Sequence, residues 1–257
     1  MKILGLDSSG LVASVAVVEE DITIAEYTVN YKKTHSQTLL PMLDELKRMT
    51  ELDLHTLDAI AIAAGPGSFT GLRIGSATAK GLGLALNLPI LPVPTVDALA
   101  YNLYGSSALV CPLMDARRNQ VYTGLYEFQK RAADGGKYEL CTLVKQCAVP
   151  LSEIIGKINE LCRENDREVL FLGDGVAVYQ EQITALTKAS YSFAPACCNR
   201  QRASCVAALG AELYKKGSFE TAAEHAPEYL RLSQAERERA AQTADKYHIR
   251  EMQQSDL

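Results

Sequence analysis

The chain lacks a membrane-spanning segment. Its most apolar stretch, Leu82 to Val93, falls short of the ~20 residues a helix needs to cross a bilayer. A secretory leader is not expected either, because Asp7 interrupts the apolar run Ile3-Leu4-Gly5-Leu6. None of the seven cysteines (Cys111, Cys141, Cys147, Cys162, Cys197, Cys198 and Cys205) stands in a Cys-x-x-Cys pair. That spacing, with the odd number, argues against a zinc or disulfide framework and predicts free buried thiols in a reducing cytoplasm. His35, His55, His225 and His248 are scattered, with no His-Glu-x-x-His among them, so no metalloprotease site is expected. Gly-x-Ser-x-Gly is absent, which removes the hydrolase elbow. An excess of basic residues is missing too: the net charge is −5, unsuited to a broad nucleic-acid or membrane surface. A local patch, or nucleic acid held by another subunit of a complex, stays open.

What is present suits a globular domain. The 257 residues are 47% hydrophobic and 22% charged, enough for a substantial core. Strand-forming runs at Lys2 to Asp7, Val12 to Val18 and Ile22 to Val29 predict an opening meander. Leu39, Leu40, Met42, Leu43, Leu46 and Met49 recur at helical spacing and predict a helix from Gln37 to Met49, with Pro41 tolerable only in its first turn. A strand at Leu57 to Ala63, a helix to Leu86, a strand at Ile90 to Val93 and a helix at Val96 to Tyr104 complete a first half. Strands restart at Ala108 to Met114, Val121 to Phe128 and Tyr138 to Val144, the last two separated by the polar loop Arg131 to Gly136. A helix at Ser152 to Cys162, a strand at Glu168 to Leu172, and helices at Val176 to Leu186 and Ala203 to Lys215 follow. Three strands followed by alternating helix and strand, twice over, predict an α/β fold duplicated at the level of architecture, with mixed sheets flanked by helices. The expected units are 1–104, 105–233 and a polar tail, 234–257, that is mobile or ordered by a partner.

Four segments could carry chemistry. Asp7-Ser8-Ser9-Gly10 follows the first strand and reads either as a plain turn or as an acid presented to a nucleotide and its metal. Gly65-Pro66-Gly67-Ser68-Phe69-Thr70-Gly71-Leu72-Arg73 links a strand to a helix. It is neither a Walker A loop nor a Rossmann fingerprint. Gly71, Gly75, Ala79 and Gly83 recur every four residues, with Ala77, Gly81 and Ala85 as a second row. Each interior Gly costs a helix about 1 kcal/mol against Ala. The row therefore implies close approach of another backbone, either the sheet beneath or a partner helix; phosphate cradling at Gly67 and Ser68 is the other reading. Asp115-Ala116-Arg117-Arg118 is a salt-bridged turn or a ligand contact, and Gly173-Asp174-Gly175 is a tight steric connection or a phosphate turn. His35 precedes a helix and reads as a capping or interface residue.

These residues carry a resemblance. Leu4-Gly5-Leu6-Asp7-Ser8-Ser9, Thr34-His35-Ser36, Gly65 to Gly75, Lys80-Gly81-Leu82, Pro94 to Ala100, Asp115-Ala116-Arg117 and Pro227-Glu228-Tyr229-Leu230-Arg231 resemble, in order, the bacterial TsaB (YeaZ) family. The resemblance implies an actin-like ATPase (ribonuclease H-like) fold of two related subdomains. It implies a non-catalytic subunit that activates transfer of threonylcarbamoyl from threonylcarbamoyl-adenylate to the adenosine beside the anticodon of tRNAs reading codons that begin with A. A TsaD-like catalytic subunit and a TsaE-like ATPase would be its partners, with a homodimer when alone and tRNA met through the complex. No cofactor of its own is implied; ATP would be held by the partners. TsaD carries a His-x-x-x-His metal pair where this chain has Thr95 and Leu99, so no metal site is expected. The implied partner interface is Leu39, Leu43, Leu46, Gly71, Arg73, Gly75, Ala79 and Gly83. Asp7, Gly67 and Ser68 are the candidate nucleotide contacts. The alternative is an actin-like ATP-dependent phosphotransferase acting on a small molecule.

Overall fold

Strand β1 (Lys2–Asp7) lies at the centre of the first sheet, and Ile3 to Asp7 are buried, so both of its faces are covered. Strand β2 (Val12–Glu19) returns antiparallel beside it, and β3 (Ile22–Asn30) follows at the edge. On the other side β4 (Ala59–Gly65) and β5 (Ile90–Pro94) add in parallel, giving the order β3-β2-β1-β4-β5. The computed structural model describes residues 1–131, 136–163 and 167–231. The tail 234–257, His248 and residues 132–135 of the polar loop lie outside the described residues.

The second sheet repeats the first strand for strand. Here β6 (Leu109–Asp115) replaces β1, while β7 (Gln120–Lys130) and β8 (Tyr138–Pro150) run antiparallel on one side. Strands β9 (Val169–Leu172) and β10 (Tyr191–Phe193) are parallel on the other, so the order is β8-β7-β6-β9-β10. Helices α1 (His35–Thr50) and α4 (Leu151–Arg163) join third strand to fourth in the two halves; α2 (Phe69–Leu86) and α5 (Asp174–Leu186) join fourth to fifth. The duplicated architecture expected from the strand pattern is present in the topology.

The closing helices are exchanged between halves. Helix α3 (Thr95–Ala100) places Val96, Leu99 and Ala100 in a core with Val110, Met114, Tyr126 and Leu172 of the second half. Helix α6 (Ala203–Lys215) places Val206, Ala207 and Ala211 against Ile3, Ala59, Ala61 and Leu91 of the first. The last described helix of the expected 105–233 unit therefore covers the sheet of the first half.

Local details follow from particular residues. Helix α1 begins at His35, two residues earlier than its apolar spacing predicts, so Pro41 lies beyond the first turn. The bond Pro41 withholds would run to Gln37 on the exposed side, where water can satisfy that carbonyl. The inner stripe of α1 (Leu39, Met42, Leu43 and Leu46) fills the core beside Leu6, Val15, Ile60 and Ile62. Strand β8 runs to Pro150, past the predicted end at Val144, and β10, at three residues, is too short to show a period.

Candidate functional site

The central strand of each sheet ends in an aspartate. Asp7 closes β1 and Asp115 closes β6, and each carboxylate accepts the backbone N–H two residues on, from Ser9 at 2.8 Å and Arg117 at 2.8 Å. Between these turns lies a cavity of about 360 Å³, whose walls include Ser9, Ser68, Asp115, Arg118, Asp174 and Tyr229. Gly67 and Ser68 line it as well. Asp7 does not. It is 1% exposed and stands behind Ser9, whose Oγ also donates to it at 2.7 Å. Burial pushes the Asp7 carboxyl up to about 6, against the opposing effect of the Ser9 bonds and the nearby His35. Its carboxylate is used to fold the turn.

Three donors of the loop into α2 are spent internally. The Ser68 N–H goes to the Ser9 carbonyl at 2.7 Å, the Gly71 N–H to Ser68 Oγ at 3.3 Å, and the Leu72 N–H to the Ser68 carbonyl at 2.8 Å. Close packing accounts for the glycines of this segment. A Cβ at Gly71 would lie 2.1 Å from the Ser8 carbonyl oxygen, and one at Gly75 would lie 2.3 Å from Ser8 Oγ. Ser8 Oγ donates to the Gly71 carbonyl at 2.9 Å across this contact. The backbone that approaches α2 is the chain's own β1–β2 turn.

That placement puts most of the residues expected at a partner interface inside the chain. Gly71, Gly75, Ala79 and Gly83 are buried within the chain, Gly83 against Ala222 and Ile90. Leu39, Leu43 and Leu46 are core residues, 1%, 5% and 0% exposed. Only Arg73 of the expected set faces outward. Its guanidinium lies 4.0 Å from the Phe69 ring centroid, and its Nε donates to the Tyr229 hydroxyl at 3.2 Å. The outer face of α2 is the second small-residue row: Ala77 and Ala85 are exposed, and Gly81 has open space where a Cβ would stand. Beside them Leu84 is 65% exposed, and the adjoining α1 exposes Leu40 by 53%.

The Asp115 turn is both salt-bridged and part of the cavity wall. Arg117 reaches Asp115 Oδ2 at 3.5 Å, and the Tyr179 hydroxyl donates to Asp115 Oδ1 at 3.1 Å. Arg117, Arg118 and Asn119 have φ of 63°, 57° and 57°, three consecutive left-handed residues that each store about 1–3 kcal/mol. Asp174, from the Gly173-Asp174-Gly175 turn, accepts the Asp115 N–H at 3.2 Å, and burial raises its pKa.

Sequence reasoning assigned no role to the segment after α6. Glu220 exchanges both backbone bonds with Ile90 at 2.9 Å, adding to the β5 edge. Lys80 Nζ holds the Ala223 and His225 carbonyls at 3.0 and 2.8 Å, and the Glu228 N–H donates to the Ala64 carbonyl at 2.7 Å. Tyr229 packs on Phe69, with ring centroids 4.8 Å apart, and Arg231 donates to the Ala116 carbonyl. This strap runs from the first sheet to the Asp115 turn of the second, and its end, Tyr229 to Arg231, lines the cavity. Pro227 to Arg231 belongs to the motifs that carry the resemblance, and that was the available signal.

Thr95 and Leu99 are structural. Thr95 Oγ1 accepts the Gly65 N–H at 3.0 Å, and Leu99 is 1% exposed in the second-half core. Among the described residues, no three His, Cys, Asp or Glu side chains converge on a metal position. His35 does not cap α1; it bonds the Gly10 carbonyl through Nε2 at 2.8 Å. The seven cysteines are free, but only Cys111 and Cys162 are buried and Cys197 is exposed, which corrects the expectation of buried thiols.

Two sheets of one topology, opened by matching aspartate turns and facing a shared cavity, define an actin-like (ribonuclease H-like) fold. A model of the TsaD family, tRNA N6-adenosine threonylcarbamoyltransferase, matches residues 23–239. The tRNA threonylcarbamoyladenosine biosynthesis protein TsaB of Bacillus subtilis (strain 168) is 34% identical over 238 residues, 92% of this chain and 96% of that protein. The TsaB of Haemophilus influenzae is 35% identical over 143 residues, 54% of this chain and 59% of its own length. In structure the chain is similar to YeaZ from Pseudomonas aeruginosa, with a TM-score of 0.73 and 26% identity over 89% of this chain and 99% of that one. The chain belongs to the TsaB (YeaZ) family.

Proposed function

We propose that this chain serves threonylcarbamoyladenosine formation in tRNA as the non-catalytic activating subunit of a TsaD-type transferase, in the cytoplasm. The observation that carries the reading is similarity to Bacillus subtilis TsaB across nearly the whole of both chains. Its chemistry agrees: the Asp7 carboxylate is committed to the Ser9 turn, and Thr95 and Leu99 supply no imidazole. The phosphotransferase alternative is not favoured, because Asp7 stands outside the cavity wall. The surface that meets a TsaD-type subunit, or a second copy when the chain is alone, is the outer face of α2 with Leu40 of α1. There Arg73, Ala77, Gly81 and Leu84 leave a close, weakly polar approach for another helix. A TsaE-type ATPase joins the pair, tRNA is met through the complex, and ATP is bound by the partners.

Reconstitution tests this. tRNA, threonylcarbamoyl-adenylate and ATP are supplied to this chain alone, to TsaD- and TsaE-type partners alone, and to all three. Modified adenosine is read by nucleoside mass analysis. Product only from the complete set is expected. Product from this chain alone, or full product without it, overturns the proposal.

A further inference from the structure

The loop between β10 and α6 places two thiols side by side. Cys197 and Cys198 are neighbours in sequence, and their sulfurs lie 3.5 Å apart. The Cys198 N–H closes a turn on the Pro195 carbonyl at 2.9 Å, which fixes both side chains on one short piece of backbone. Cys197 is exposed and Cys198 half-buried, so a reagent reaches the first and the second is already within reach of it. The hydrogen bond to Cys197, and then burial, hold the Cys198 thiol above its ordinary range, while the Arg202 charge works the other way. Cys205, the next thiol in the chain, is engaged elsewhere. Its sulfur donates to Asn102 Oδ1 at 2.9 Å, and burial pushes it up to about 12.

We propose that Cys197 and Cys198 form a reversible dithiol–disulfide site that is oxidised by exchange with low-molecular-weight disulfides. The Cys197 thiolate attacks the small disulfide, forming a mixed disulfide and releasing one small thiolate. The Cys198 thiolate then attacks the Cys197 sulfur, closing the intramolecular bond and releasing the second. Two electrons pass from the protein to the reagent, and the two thiol protons go to solvent. Adjacent Cα atoms are about 3.8 Å apart, shorter than the usual disulfide range of about 4.4–6.8 Å, so the ring is strained and readily reduced again. The site adjoins the cavity wall: the next residue, Asn199, accepts the Gly173 N–H at 3.1 Å, and Arg200 donates to the Gly173 carbonyl at 3.1 Å. Gly173 leads directly into Asp174.

The test uses the full chain, folded, with oxidised glutathione, followed by alkylation of the remaining thiols and trypsin. Cleavage after Lys188 and Arg200 yields a peptide, 189–200, whose cysteines are Cys197 and Cys198 alone. The expected wild-type product is this peptide two hydrogens lighter, without alkyl label, and restored to two labels by dithiothreitol. Cys198→Ser is expected to stop at the glutathione adduct on Cys197, persisting ~10-fold longer or more, because the closing step is intramolecular. Cys205→Ser is expected to close as the wild type does. A lasting glutathione adduct on the wild-type peptide, a disulfide between chains, or closure that needs Cys205 each overturns the proposal. Melting curves of both variants confirm that they are folded.

Discussion

Gly71→Ala separates the two meanings of a small-residue row. In an exposed helix the substitution stabilises by about 1 kcal/mol, because Ala is the better helix former. Here the new methyl carbon would stand 2.1 Å from the Ser8 carbonyl oxygen and 3.2 Å from the His35 ring. Neither backbone can yield alone, since Ser68 N–H to Ser9 and Ser8 Oγ to Gly71 tie the turn to the helix. Forcing the helix away costs about 1–3 kcal/mol for overpacking and about 1 kcal/mol for the lost hydrogen bond. With the propensity gain set against these, the net is a destabilisation of about 1–3 kcal/mol. For a chain of this size that is a fall in melting temperature on the order of 5 °C. Gly81→Ala is the matched control: nothing stands within 4 Å of its new carbon, so stability should hold or rise by up to about 1 kcal/mol. Urea unfolding of both, monitored by circular dichroism, gives the difference directly. Equal stability of Gly71→Ala and wild type, or an equal loss in both variants, would refute the assignment of one row to the interior and the other to the surface.

Other expectations follow from the same placement. Leu46→Ala should cost about 2–5 kcal/mol in urea unfolding, because its side chain is 0% exposed in the first core. Leu84→Asp should leave that unfolding curve within about 0.5 kcal/mol, while sedimentation shows loss of self-association and reconstitution shows loss of product. Asp7 is proton-linked in an unusual direction. Its pKa is raised from 3.8 unfolded to about 6 folded, so the folded state holds the proton more tightly and stability falls as pH rises between those values. Asp7→Asn should flatten the profile across pH 4–6 and raise stability at pH 7 by up to about 3 kcal/mol, the energy equivalent of the shift. A destabilised Asp7→Asn at pH 7 would show that the carboxylate charge is needed where it stands.

The strands were legible because β-branched and aliphatic runs are bounded by polar turns, and Ala203–Lys215 was legible because Ala203, Val206, Ala207 and Ala211 recur at helical spacing. Sheet order was not, since nothing in Ile90 to Val93 says which strand it will lie beside. The exchange of α3 and α6 was equally hidden: an apolar stripe such as Val206, Ala207 and Ala211 does not name the sheet it covers. The candidate site failed in the same way. Spacing put Gly71, Gly75, Ala79 and Gly83 on one face correctly, but a row of small residues fits an internal strand turn as well as a partner. The resemblance tipped the choice toward a partner, and the positions of Ser8 and Ala222 decide it for the interior. Cys197 and Cys198 carried no spacing motif, and their exposure depends on a turn that propensity alone does not locate.

The exchanged helices also govern how the chain can be made. The strands of the first sheet have all left the ribosome once Pro94 is out, yet the helix that covers one of its faces begins at Ala203. At ~5–20 residues per second, that face waits roughly 5–20 s for its cover. During the interval Ile3, Ala61, Leu91 and Val93 lack the helix that buries them in the finished fold. A chain stalled or cut before Ala203 would carry this apolar face into solution. The first sheet to be synthesised is therefore the last to be finished, and the quality of the whole product rests on residues translated after both sheets exist.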